Sequence, residues 1–166
     1  MTTEERNHHN WLLSIGNDRL GRLIDNIVNG KSRLITLLEL NLVFLTVVVS
    51  TYPLIWEKSD FKIFLWIPIL LSIASVIIST VGYNRKTEIT EILSYKDEDF
   101  NKYEKYSEQE LYDDLLENLK EGLKDGNNFC SYISKFLNAA LFTFGSSIGL
   151  YIVMSLLVIN TIGGVS

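Results

Sequence analysis

The chain has 166 residues, 15 Lys and Arg against 20 Asp and Glu for a net charge of −5, and one cysteine. That length allows one compact domain or a small membrane bundle. The lone Cys130 excludes an intrachain disulfide and has no zinc-site spacing.

The charge is concentrated in blocks. From 136 to 166 there is no Lys, Arg, Asp or Glu, from 63 to 83 there is none, and from 34 to 56 the only one is Glu39. A water-facing helix needs a polar face, and these runs have none. Each is close to the roughly 20 apolar residues that span a hydrocarbon core. Barrel strands alternate apolar and polar residues over about 10 positions, which LVFLTVVV and LYIVMSLLVI do not. The expected fold is therefore all-α, an integral membrane protein with three transmembrane helices plus amphipathic cytoplasmic helices.

Residues 1–33 form a polar segment with no apolar core of a secretory signal. Within it Trp11, Leu12, Ile15, Leu20, Leu23, Ile24, Ile27 and Val28 make an apolar stripe at helical spacing, with Asn10 as a possible N-cap. His8–His9 reads as solvated tail. Asn29–Gly30 predicts a kink or break before the first membrane helix, at about 34–56. The short turn at 57–60 makes an antiparallel hairpin with the second helix, at about 63–83. Tyr52, Trp56 and Trp66 gather at that end, as aromatic residues do at a membrane interface. Pro53 and Pro68 lie near the same boundary, where a lost backbone hydrogen bond costs least.

The second helix is expected to continue into TEITEILSY, within a charged cytoplasmic segment at 84–135. Residues 88–125 hold 13 acidic residues and five Lys, which argues against nucleic-acid binding there. Ser107-Glu-Gln-Glu110 is a capping box, followed by Leu111, Leu115, Leu116, Leu119 and Leu123 at helical spacing. Residues 125–128 either end that helix or bend it before the third membrane helix, at 136–160, and an external tail at 161–166.

Lys and Arg fix the orientation. Arg6, Arg19, Arg22, Lys31 and Arg33 lie in the first block and eight more between Arg85 and Lys135, while the hairpin turn has only Lys58 and Lys62. The N-terminus and the long segment are expected in the cytoplasm, with the C-terminus outside the plasma (inner) membrane.

No catalytic signature is present: there is no phosphate-cradling glycine loop, no Gly-x-Ser-x-Gly and no His-Glu-x-x-His. The reading is not an enzyme, with no cofactor and no metal site. The informative residue is Glu39, a carboxylate inside an apolar helix. At 100° per residue it shares one sector with Ser32, Thr36, Thr46 and Ser50. Such a stripe reads as the lining of a pore in a homo-oligomer, where a carboxylate ring favours cations. The alternative is that Glu39 reaches the interface or pairs with Lys31 or Arg33 while the hydroxyls bond their own backbone. Ser72, Ser75, Ser79 and Gly82 on the second helix, and Gly145 and Gly149 on the third, are small residues that allow close helix packing, within the chain or between chains. Arg19, Arg22, Lys31 and Arg33 could hold phosphates of a lipid or nucleotide, or serve only as topology determinants.

An amphipathic helix, a short polar entry (Asn29-Gly-Lys-Ser-Arg33, then LITLLELNLVF), a membrane hairpin and a charged helix returning to a further apolar helix resemble the SLATT and Pycsar-type small transmembrane effectors of bacterial anti-phage systems. Ser32 stands where a small Ala is common in that stretch, and no cyclic-nucleotide-binding domain is appended. The resemblance implies a homo-oligomeric channel, a tetramer by analogy, that permeabilises or depolarises the cell's own membrane during infection. It also implies control by a nucleotide or oligonucleotide signal or by a signal-synthesising protein. The reading from a different class is an adaptor membrane protein whose cytoplasmic helices dock a partner.

The charge asymmetry makes a topology prediction. In intact cells a membrane-impermeant thiol reagent should label a cysteine introduced at Ser59 or Ser166 but not at Ser107. Strong labelling at Ser107 would invert the arrangement.

Overall fold

Two reciprocal caps set where the long helices begin. In the computed structural model, which describes residues 2–57, 59–85 and 106–163, Glu110 accepts from the Ser107 backbone N–H at 2.8 Å and from its hydroxyl at 2.7 Å. The Glu110 N–H in turn donates to Ser107 Oγ at 3.4 Å. The hydroxyl first, and then the backbone donor, hold the Glu110 carboxyl below the usual carboxylate range. Thr2 and Glu5 repeat the device: the Thr2 N–H donates to Glu5 at 2.6 Å and the Glu5 N–H to the Thr2 hydroxyl at 3.3 Å. Helix α1 (Thr3–Thr51) therefore starts seven residues ahead of the expected cap at Asn10. Asn10 lies inside it, and its carbonyl accepts from the Tyr112 hydroxyl at 2.8 Å.

Neither helix is broken or ended where the sequence allowed it. α1 runs unbroken through Asn29–Gly30, and α3 (Glu108–Gly163) through residues 125–128. A glycine costs a helix about 1 kcal/mol relative to alanine, but Gly30 sits where Ile133 of the neighbouring helix presses close, and Gly126 is buried. Between them α2 (Trp66–Asn84) does end: Arg85 turns to an extended conformation, so the helix does not continue unbroken into TEITEILSY, which lies outside the described residues. All regular structure among the described residues is helical. Three of the helical stretches, Thr3–Trp56, Lys62–Asn84 and Glu108–Ile162, are long and apolar enough to cross a membrane.

The chain divides into two units, Met1–Asn29 with Lys86–Tyr132 and Gly30–Arg85 with Ile133–Ser166. In the first unit, α1 and α3 run parallel. Arg6 forms a two-point ion pair with Glu108 at 2.7 and 2.8 Å, Asn10 pairs with Tyr112, and the Cys130 thiol donates to the Leu23 carbonyl at 3.7 Å. These partners rise together along both helices. The buried positions of α1 here are Gly16, Leu20 and Ile27, and half-buried Leu13 and Leu23 fit the same series, three and four apart as in a coiled coil. Gly16 makes room for Leu119, whose side chain occupies the space a Cβ there would need. This seam departs from the apolar stripe read in the sequence, which leaves Trp11 and Val28 on the outside, 58% and 60% exposed. Burial pushes the Cys130 thiol pKa up.

In the second unit α1 and α3 are again parallel, and α2 returns antiparallel to both. The same spacing continues along α1 through Gly30, Leu34, Leu37, Asn41, Phe44, Val48 and Thr51. Phe44 meets Phe144 and Tyr151 edge-on at 5.9 and 5.6 Å, Trp56 stacks on Tyr151, and the Thr51 and Tyr151 hydroxyls are hydrogen-bonded. Val48, Trp56, Leu65, Tyr151 and Val158 form one buried cluster, and Leu37, Ala140 and Phe144 another. Pro53 has no N–H for the Val49 carbonyl, and the chain here widens to a π turn (Tyr52–Trp56) closed by Glu57 N–H to Tyr52 C=O at 3.0 Å. A 3₁₀ turn (Lys62–Leu65) leads into α2. Between them Ser59 is buried and accepts from the Phe61 N–H at 3.0 Å, so exposed Asp60, rather than Ser59, is the position for a thiol label.

The small residues divide by face. Ser72, Ser75, Ser79 and Gly82 all lie buried on the inner side of α2. A Cβ at Gly82 would come 2.9 Å from Phe136 Cβ and 3.1 Å from Leu34 Cδ1, whereas Gly145 and Gly149 have open space beside them. Those two meet no packing partner among the described residues. Gly82→Ala should therefore lower thermal stability in detergent by about 1–3 kcal/mol through overpacking. Gly149→Ala should leave it unchanged or raise it by up to about 1 kcal/mol. Equal effects from both would contradict this division.

Candidate functional site

The five residues of the α1 polar stripe are brought to one exposed face. Ser32, Glu39 and Thr46 stand seven apart, as do Thr36, Val43 and Ser50, and all six are exposed. At 100° per residue this face lies about 180° from the seam position Asn41. The side of α1 that packs in the second unit is apolar apart from Asn41 and Thr51, and the side that does not carries the polar groups. Val43, 62% exposed, interrupts the stripe.

The hydroxyls on this face turn back onto their own helix. Thr36 donates to the Ser32 carbonyl at 3.2 Å, Thr46 to the Leu42 carbonyl at 2.9 Å and Ser50 to the Thr46 carbonyl at 2.8 Å. Each retains its acceptor lone pairs outward. Glu39 has no hydrogen bond or ion pair among the described residues. Lys31, one of its two proposed partners, donates to the Arg85 carbonyl at 3.2 Å and lies 5.8 Å from the centre of the Tyr83 ring.

A second polar cluster faces inward, and sequence reasoning passed over it. Asn41 is fully buried between the three helices. Its carbonyl accepts from the Ser72 hydroxyl at 2.7 Å, and its amide donates to Ser75 Oγ at 3.2 Å and to the Leu37 carbonyl at 2.8 Å. Ser75 passes the chain on to the Ala140 carbonyl at 2.9 Å, so the network ties α1 to α2 and α2 to α3. One turn away Ser147 donates to the Pro68 carbonyl at 2.6 Å. The available signal was position: Asn41 is seven residues from both Leu34 and Val48, in the middle of a three-four seam. A lone buried Asn in such a seam fixes the register of the packed helices. Ser79, the fourth inward position with Gly82, is buried with no hydroxyl partner among the described residues.

The four cations considered for phosphate binding are divided. Arg19 and Arg22 are exposed in the first unit, while Arg33, exposed, and Lys31, engaged as above, belong to the second. Among the described residues no three His, Cys, Asp or Glu side chains come together as a metal set. No protein-family model, curated protein or solved structure matches the chain.

The inward network carries a stability prediction. Asn41→Ala leaves the Ser72 hydroxyl without its acceptor and should cost about 1–2 kcal/mol. In a double-mutant cycle with Ser72→Ala the losses should be clearly less than additive. Reversible unfolding in mixed micelles measures both, and full additivity would mean the two side chains do not interact.

Proposed function

We propose that the chain is a multi-pass protein of the bacterial inner membrane that assembles into a homo-oligomeric pore lined by the Ser32–Thr36–Glu39–Thr46–Ser50 face of α1. The observation that carries this reading is the inversion of α1: its seam is packed against its own chain, and its uncovered face bears a carboxylate and four hydroxyls. A lipid-facing carboxylate is unfavourable, by about 2–3 kcal/mol at the centre of a span on insertion scales, and Glu39 lies five residues inside the expected span at 34–56. Repeating the chain around an axis puts those faces on a shared aqueous path. The outward lone pairs of Thr36, Thr46 and Ser50 then meet water or ions, and each copy adds one Glu39 to a ring that attracts cations.

The resemblance to SLATT and Pycsar-type effectors points the same way. In that reading the pore depolarises the cell's own membrane when infection is sensed, and a nucleotide or oligonucleotide signal, or the protein that makes it, acts on the charged cytoplasmic helices. The excess of Lys and Arg places the N-terminus inside and the C-terminus outside. The adaptor reading draws on Trp11 and Val28, large apolar side chains left uncovered in the first unit, and it requires no conduction.

Mass measurement in mild detergent should give a defined homo-oligomer, with four chains expected, and a clean monomer removes the pore. In planar bilayers Glu39→Gln should keep assembly but weaken cation preference, and Glu39→Lys should reverse that preference or abolish current. Unchanged reversal potentials in both variants, with normal assembly, would show that Glu39 does not face the conduction path.

A further inference from the structure

We propose that the groove at the hairpin-turn end of the second unit holds one acyl chain of a phospholipid whose headgroup combines a phosphate with a primary ammonium, the phosphate resting on Lys62. The inference depends on the membrane reading above and is independent of the pore.

The groove has a volume of about 450 Å³, with Val49, Leu65 and Ile69 on its walls, Tyr52 and Trp66 beside them and Lys62 as its one charged lining residue. That is within the roughly 300–1,000 Å³ typical of small-molecule sites. Its setting is local: the π turn at Tyr52–Trp56 and the 3₁₀ turn at Lys62–Leu65 both depart from α-helical geometry at this end of the hairpin. Ordinary membrane-facing helix surface is convex and exchanges its lipid freely. A concave apolar wall holds one chain in contact on more than one side.

The polar edge narrows the choice of headgroup. Lys62 is exposed and has no ion pair among the described residues. A lysine stem lies along apolar surface while its ammonium reaches the headgroup level, where phosphate is the abundant anion. Tyr52 and Trp66 have the amphipathic character of residues at that depth. The connecting turn holds Glu57, Lys58, Asp60 and Lys62, two charges of each sign, so it exerts no net pull on an anionic lipid. A zwitterion matches both signs: its phosphate meets Lys62, and its ammonium meets the exposed carboxylates of Glu57 or Asp60. A primary ammonium donates hydrogen bonds to those carboxylates, which a quaternary one cannot do.

Trp66 supplies the reporter. The Trp11→Phe protein is reconstituted into phosphatidylcholine vesicles, and co-flotation establishes insertion. A minor fraction of phosphatidylethanolamine brominated on its acyl chains is then added and tryptophan quenching recorded. Quenching should correspond to roughly tenfold enrichment over random mixing, the ratio one charge-assisted contact supplies. It should fall to the random-mixing level in Lys62→Gln, and in Trp66→Phe only the signal of the buried Trp56, the one tryptophan then left, should remain. Random-mixing quenching in the parent protein, enrichment that survives Lys62→Gln, or equal enrichment of brominated phosphatidylglycerol would each overturn the proposal. So would complete shielding of Trp66 from every brominated lipid, the result expected if a second copy of the chain filled the groove. Failure to co-float would instead sink the membrane reading beneath it.

Discussion

The seam of α1 is the constraint on which the rest of the structure depends. From Gly16 to Val48 its buried positions fall three, four or seven residues apart, the spacing that keeps one side of a helix against a neighbour over many turns. The neighbour is α3, running in the same direction in both units. Two helices of one chain can be parallel only if something returns the chain between them, and in the second unit α2 does so. With the 3₁₀ turn before it, α2 covers 23 residues from Lys62 to Asn84. At 1.5 Å per residue that is roughly 35 Å, enough to cover a hydrocarbon core of about 30 Å.

Close approach along the seam depends on what is missing as much as on what is present. Gly16 gives way to Leu119 and Gly30 to Ile133, while Gly82 on α2 gives way to Phe136. These contacts explain why helices persist through glycines that, taken locally, argue for a break. The backbone entropy lost at one glycine is of order 1 kcal/mol, and the dozens of close atom contacts of a well-packed Leu, Ile or Phe side chain, each about 0.1–0.2 kcal/mol, contribute more than that. Lipid gives apolar helices no hydrophobic drive toward each other, and close packing of this kind, together with hydrogen bonds, is what holds helices together in that solvent.

Those hydrogen bonds sort the polar residues of α1 into two kinds. Asn41 is on the seam, and its amide can be satisfied only because Ser72 and Ser75 arrive from α2 at the same level. Glu39, two residues earlier, is on the opposite side, and nothing in its own chain answers it among the described residues. The first kind fixes how the helices of one chain register. The second is the basis for proposing that several chains come together. Cys130, by contrast, is accounted for by packing: a half-buried thiol bonded to the Leu23 carbonyl, its pKa raised by burial.

Much of this was determined by the sequence alone. Unbroken apolar runs of membrane-spanning length admit only helices, because hydrocarbon cannot satisfy an open backbone. The Ser107–Glu110 cap was legible because a capping box is a local, four-residue device, and the Glu39 stripe because a fixed turn angle assigns positions to faces. What sequence reasoning could not supply was the identity of each neighbour. Whether Asn29–Gly30 breaks a helix depends on Ile133, more than 100 residues away. Whether Gly82 and Gly149 serve the same purpose depends on which of them meets Phe136. Asn41 became a central residue only when two serines of another helix were placed beside it. Local rules fix each helix from within, but the free energy of a close contact or a buried hydrogen bond belongs to both partners, and only the tertiary structure brings the second one into place.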